Sequence, residues 1–104
     1  QIRKLLAYNL RGIVYQKLLP TLHEHTPRIP ALEILLGTPI VTKYILESRE
    51  GELLDVIMKS HEEGMCDLNT ALLRLVESEW VSLKTALEAT PKPEDLKMKI
   101  KGIA

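Results

Sequence analysis

The side chains best suited to nucleophilic, acid–base or metal chemistry in this 104-residue chain are three histidines, one cysteine and fourteen carboxylates. His23 and His25 are two residues apart. On an extended strand both rings would project from one face, where Glu33 of a partner strand could join them at a metal ion. That set falls short of the four ligands of a closed structural site, and solvated loop histidines fit the same pattern. Cys66 would need a nearby base to act as a nucleophile. His61 precedes it by five residues but lies across Gly64, on a different expected helix, so a small buried or half-buried thiol is the simpler reading. Glu62 and Glu63, like Glu94 and Asp95, are sequence neighbours. Neighbours on a helix point apart, which suits caps or solvated charges rather than an acid–base pair. The chain holds no G-x-x-x-x-G-K-[ST] loop, no G-x-G-x-x-G, no C-x-x-C and no H-E-x-x-H. No catalytic, cofactor-binding or metal-ligating residue is therefore expected in it.

Composition narrows the partners. Fourteen basic side chains balance fourteen acidic ones, and nucleic-acid binding without a net basic surface is not expected. A lone cysteine makes no internal disulfide, which fits a reducing compartment. The apolar run over residues 34–46 is interrupted by Gly37, Pro39 and Lys43 and is too short to span a bilayer. No basic segment followed by an apolar one opens the chain, so no signal peptide is expected. The first residue is Gln1 rather than Met, and the expectation is a fragment of a longer protein.

The elements follow from periodicity and punctuation. Aliphatic residues dominate the apolar set, Phe is absent and aromatics are only 4%, which favours helices packed through aliphatic ridges. From Gln1 to Leu19, the positions Ile2, Leu5, Leu6, Leu10, Ile13, Val14 and Leu18 follow a 3.6 period and predict one long helix, ended by Pro20. Pro20, Pro27 and Pro30 exclude a continuous helix beyond it. Thr21–Glu24 and Arg28–Leu36 are expected as a short β hairpin about His25-Thr26-Pro27, although Ile34-Leu35-Leu36 could equally be a buried helical turn. A series of short helices should follow. Thr38 caps one with Pro39 at its first position, turning Val41, Tyr44 and Ile45 inward. A second runs from about Glu52 to Glu62 and ends at Gly64, and Asp67 caps a third. Ser82 caps a fourth, with Val81 and Ala86 spaced as a hydrophobic staple. A last one starts at Glu94 and Asp95 and ends among Lys97, Lys99 and Lys101, in keeping with the helix dipole.

Several of these segments, in order and at the right spacing, resemble the end of a secretion-type ATPase. Gln1-Ile2-Arg3, Leu6-Ala7, Leu10, Gly12-Ile13-Val14 and Gln16-Lys17-Leu18-Leu19-Pro20 are similar to the helix that follows the histidine box in motors of type IV pili and type II secretion. Glu33-Ile34-Leu35 with Gly37-Thr38-Pro39 is similar to the family's strand and the helix cap after it. Gly64-Met65 with Leu68, Ala71-Leu72 and Leu75 resembles its glycine–methionine helix. Within the family, the twitching-motility retraction ATPases of the PilT type are the nearest fit. Those proteins carry Ala-Ile-Arg directly after the Thr-Pro. Here the matching positions are Ile40, Val41 and Thr42, so that arginine is absent.

The resemblance implies a mainly helical α+β fragment: a long helix, a short β hairpin, then a bundle of four to five short helices. Residues 1–37 would be the C-terminal helix and hairpin of a RecA-like P-loop core, and residues 38–104 a helical C-terminal module. ATP and Mg would be bound upstream in a hexameric, cytoplasmic parent enzyme at the inner face of the inner membrane. The fragment itself would couple nucleotide-driven motion to a pilus or secretion platform protein. Its partners would be the rest of the ATPase chain, ring neighbours and that platform. Ile40, Val41, Thr42 and Lys43 are the expected coupling surface, with Arg3 and Gln16 as family positions in the core helix. The alternative from another class is a free-standing helical adaptor with no nucleotide chemistry.

Overall fold

The structure, a computed structural model, describes residues 2–102. Gln1, Ile103 and Ala104 lie outside it, and with them the first residue of the expected long helix and the last two of the expected helical module. In chain order the elements are α1 (Ile2–Asn9), β1 (Gly12–Pro20), β2 (Arg28–Leu36), α2 (Pro39–Leu46), α3 (Leu53–Lys59), α4 (Leu68–Glu77), α5 (Leu83–Ala89) and α6 (Pro93–Ile100). Short 3₁₀ turns occupy Glu50–Glu52 and His61–Glu63. The mainly helical α+β class is as expected, with one antiparallel hairpin followed by five short helices.

The long opening helix is a correction. The helix stops at Asn9, and Gly12–Pro20 is a strand. Its last turn closes with the Leu10 amide donating to the Leu6 carbonyl at 2.9 Å. Gly12 then weakens any continuation, and Ile13, Val14 and Tyr15 prefer a pleated backbone. Burial alternates only toward the end of the strand, with Lys17 and Leu19 half-buried and buried and Gln16 and Leu18 exposed. The strand therefore pairs with β2, whose span matches the expected one. Thr21–Glu24, expected as the first strand, belongs instead to the connection between strands. There the Thr21 amide donates to the Pro27 carbonyl at 3.1 Å, and the Thr21 hydroxyl receives the His23 amide at 3.0 Å.

By contact the chain forms two compact units. The first takes the chain up to Tyr15 together with Ile34–Asp67; the second takes Gln16–Glu33 together with the chain from Leu68 onward. Each unit has its own apolar core.

In the first, Ala7, Leu35, Val41, Ile45 and Ile57 pack together. Gly37 lets two stretches of backbone meet, its amide donating to the Arg11 carbonyl at 2.9 Å. Thr38 and Pro39 start α2 as expected, although the Thr38 hydroxyl makes no capping bond and has no partner among the described residues. The expected helix from Glu52 to Glu62 is interrupted. It is α-helical to Lys59 and resumes as a 3₁₀ turn, which Gly64 ends at φ +98°, the left-handed cap anticipated for it.

In the second unit, Leu19, Ala31, Leu72, Val81, Ala86 and Leu96 form the core. The Ser82 side chain accepts from the Thr85 amide at 3.1 Å to cap α5, and Val81 and Ala86 are buried beside it. Pro93 opens α6, with Glu94 and Asp95 in its first turn and Lys97 and Lys99 in its last.

Candidate coupling surface on the second helix

Helix α2 presents the residues expected to couple, and burial sorts them. A 100° step per residue turns Val41 and Ile45 to one side, and both are buried, at 0% and 3% exposure. Val41 is thus a core residue of the first unit, as its expected inward position on the helix wheel has it, and this corrects its inclusion in the exposed coupling surface. Thr42 is a second correction. It is half-buried, and its hydroxyl donates to the Ala7 carbonyl of α1 at 3.1 Å. Tyr44, expected to point inward, is only half-buried, with the Arg49 guanidinium 4.0 Å from its ring centroid. What remains open to a partner is Ile40, 40% exposed, and Lys43 three residues on.

This division makes a stability prediction. Thr42→Ala removes a part-buried hydrogen bond between α1 and α2 and should lower stability by about 1 kcal/mol. Lys43→Ala should stay within about 0.5 kcal/mol of the parent chain. Urea midpoints of the two variants separate these outcomes. Equal midpoints would mean that the Thr42 bond contributes nothing.

Arg3 and Gln16, expected together on one core helix, sit on different elements. The Arg3 guanidinium donates to the Ile45 carbonyl at 2.7 Å and pairs with Glu50, tying α1 to the end of α2. The guanidinium holds the Glu50 carboxyl below the usual carboxylate range. Gln16 is an exposed residue of β1 in the second unit. Arg49 lies between Glu52 at 2.7 Å and Glu47 at 2.9 Å. Those bonds raise its proton affinity and lower that of Glu52. Because Glu50 and Glu52 are depressed, their contribution is present at neutral pH and is lost as pH falls through their folded values.

The residues singled out for metal or covalent chemistry have other work. Among the described residues no three His, Cys, Asp or Glu side chains converge as a metal group would require. His23 packs its ring on Trp80, and Glu33 accepts the Leu68 amide at 3.0 Å, capping α4 from a strand. The Asp67 cap anticipated for α4 is a buried carboxyl whose Oδ1 meets His61 Nε2 at 2.8 Å. Cys66 is half-buried and its backbone bridges that of Ile34, with bonds of 2.7 and 3.1 Å. The Glu33 and His61 contacts are not visible in local patterns, because each joins groups from separate elements.

The chain as a whole resembles known ATPases. No protein-family model matches the chain. It is 32% identical over 96 residues to the type IV pilus ATPase PilU of Pseudomonas aeruginosa, covering 92% of this chain and 25% of PilU. It is 28% identical over 94 residues to that organism's type IV pilus retraction ATPase PilT, covering 90% of this chain and 27% of PilT. The chain thus spans about a quarter of the length of the curated relatives it matches. In three dimensions it superposes on the ADP-bound pilus retraction motor PilT with a TM-score of 0.72 and 31% identity, over 93% of this chain and 26% of that one. It shares its fold with the Legionella pneumophila ATPase DotB, at a TM-score of 0.60 and 19% identity, over 97% of this chain and 24% of DotB. No described helix is long and apolar enough to cross a membrane. Sequence likeness to two type IV pilus ATPases, carried on the fold of one of them over nearly the whole chain, makes this chain homologous, over about a quarter of their length, to the PilT-type pilus and secretion ATPases.

Proposed function

We propose that this chain is a C-terminal coupling segment of a hexameric motor ATPase that powers type IV pilus retraction and twitching motility, or type II secretion. In this reading residues 1–37 are the last helix and hairpin of a RecA-like P-loop core, and residues 38–104 are a helical module attached to it. ATP and Mg bind elsewhere in the parent chain, since this stretch has no phosphate-binding loop. The observation that carries the reading is the likeness to PilU and PilT over nine-tenths of this chain. Uncovered apolar side chains on α1 and β1 support it: Ile2, Leu5, Tyr8 and Val14 are 83%, 65%, 70% and 63% exposed. Such a patch suits a helix and strand that pack against more of an ATPase core. The partners are the rest of the ATPase, its ring neighbours and a pilus or secretion platform protein, met in the cytoplasm at the inner face of the inner membrane.

Within that motor, Ile40 and Lys43 are the residues of α2 free to touch a platform, beside Thr42 where retraction ATPases carry arginine. The test uses the longer parent chain. Ile40→Ala with Lys43→Ala should keep ATP hydrolysis within about twofold, because neither side chain holds a core together. Pilus retraction or secretion in cells should fall several-fold. Normal output from the double variant would move the coupling face off α2, and a parent chain without ATPase activity would end the motor reading.

A further inference from the structure

Glu79 lies two residues beyond the end of α4 with φ +61°, a left-handed conformation that helices usually reserve for glycine. The amide of Glu79 donates to the Val76 carbonyl at 3.0 Å and that of Trp80 to the Leu75 carbonyl at 2.9 Å, a Schellman ending. A glutamate in this position carries backbone strain that the surroundings must hold in place. The connection between β1 and β2 supplies the hold. His23 Nε2 lies 3.0 Å from the Glu79 carbonyl, the Leu22 amide donates to the Trp80 carbonyl at 2.9 Å, and the His23 ring packs on Trp80 with centroids 4.4 Å apart. A carbonyl only accepts, so Nε2 carries the proton in this contact. All of these groups belong to the second unit.

We propose that the β1–β2 turn is a strap over the α4–α5 corner. Through Leu22 and His23 it holds Glu79 in its strained conformation, and displacement of the hairpin turn releases the C-terminal cap of α4. Resting on the motor reading above, the strap is the point at which hairpin movement is delivered to the terminal helices. Glu79 makes the corner dependent on the strap, whereas glycine there would hold the turn unaided.

Trp80 is the chain's single tryptophan, so its fluorescence reports on the strap directly. In the 104-residue chain, His23→Ala should shift Trp80 emission and speed exchange of the Leu22 amide by roughly fivefold or more, the scale of one lost hydrogen bond. His23→Phe, which keeps a ring on Trp80 but loses the bond, should speed exchange with a smaller emission change. Adding Glu79→Gly to His23→Ala should restore the thermal midpoint lost in the single variant, because glycine needs no strap. Unchanged emission and exchange in His23→Ala, or additive effects of His23→Ala and Glu79→Gly, would overturn the strap. In the parent chain, His23→Ala should retain ATP hydrolysis while pilus or secretion output drops several-fold, and Glu79→Gly should lower output with the contact intact. Normal output with a demonstrably open strap would overturn its role in transmission. Absence of ATP hydrolysis in the unaltered parent would instead overturn the motor reading and leave the strap standing.

Discussion

Gly37→Ala should destabilise the first unit by about 3 kcal/mol, the upper part of the range for overpacking a closed site. A Cβ at residue 37 would fall 2.1 Å from the Leu10 carbonyl oxygen and 3.0 Å from its carbon, with the Arg11 oxygen at 3.4 Å. The obstructing atoms are backbone, so no rotamer change relieves the clash. The Gly37 amide is also fixed to the Arg11 carbonyl, so α2 cannot retreat without giving up that bond. Either the junction after α1 or the start of α2 must shift, and both carry side chains of the same core, Ala7 and Leu10 before it and Val41 after it. Gly51→Ala is the control. Nothing lies within 4 Å of a Cβ there and its φ is not positive, so the change should be neutral or mildly stabilising. Urea denaturation of the two variants measures the contrast. A Gly37→Ala midpoint equal to that of Gly51→Ala would show that the close approach is not needed.

Leu72→Ala should cost about 3–4 kcal/mol, by lost transfer energy and the cavity left behind. Leu72 is fully buried on α4, in one cluster with Leu96 of α6, Ala86 of α5 and Val81 just before α5, all within 2% exposure. Several elements therefore share the hole, and none can collapse into it alone. Leu73→Ala, on the same helix but half-buried, should cost clearly less. In a small protein of ordinary stability the first change leaves little margin, so the expected readout is a melting transition lowered by more than about 10 °C. Amide exchange adds a sharper test, since protection should fall first at α4, α5 and α6. A Leu72→Ala chain melting within about 2 °C of the original would contradict the reading of Leu72 as the centre of this core.

Features whose cause lies within one turn of chain were legible in the sequence. Ser82 caps α5 because its hydroxyl reaches an amide three residues away, and Gly64 ends its turn because it takes a positive φ without a Cβ. Pro39 opens a helix because a missing N–H is harmless there, whereas Pro93, which reads in the sequence as a stop after α5, is the first residue of α6. Arg28–Leu36 reads as a strand from its flanking turn and prolines, and the five short helices follow from caps and apolar spacing together. The family resemblance was legible for a related reason, since it rests on short runs in a fixed order.

Tertiary structure decided whatever depended on a distant partner. Residues 12–20 carry a helical apolar spacing alongside β-branched and aromatic residues at 13–15, and only pairing with β2 gives their backbone groups the bonds that select the strand. Val41 and Thr42 are taken off the surface by the packing of α1 on α2, where a hydroxyl thirty-five residues from Ala7 finds its carbonyl. Glu33 caps a helix that begins thirty-five residues later, and His23 meets a backbone carbonyl fifty-six residues on. Local propensity is worth a few tenths of a kcal/mol per residue, whereas an unpaired buried polar group costs roughly 1–3 kcal/mol, so long-range pairing overrides local preference where the two compete.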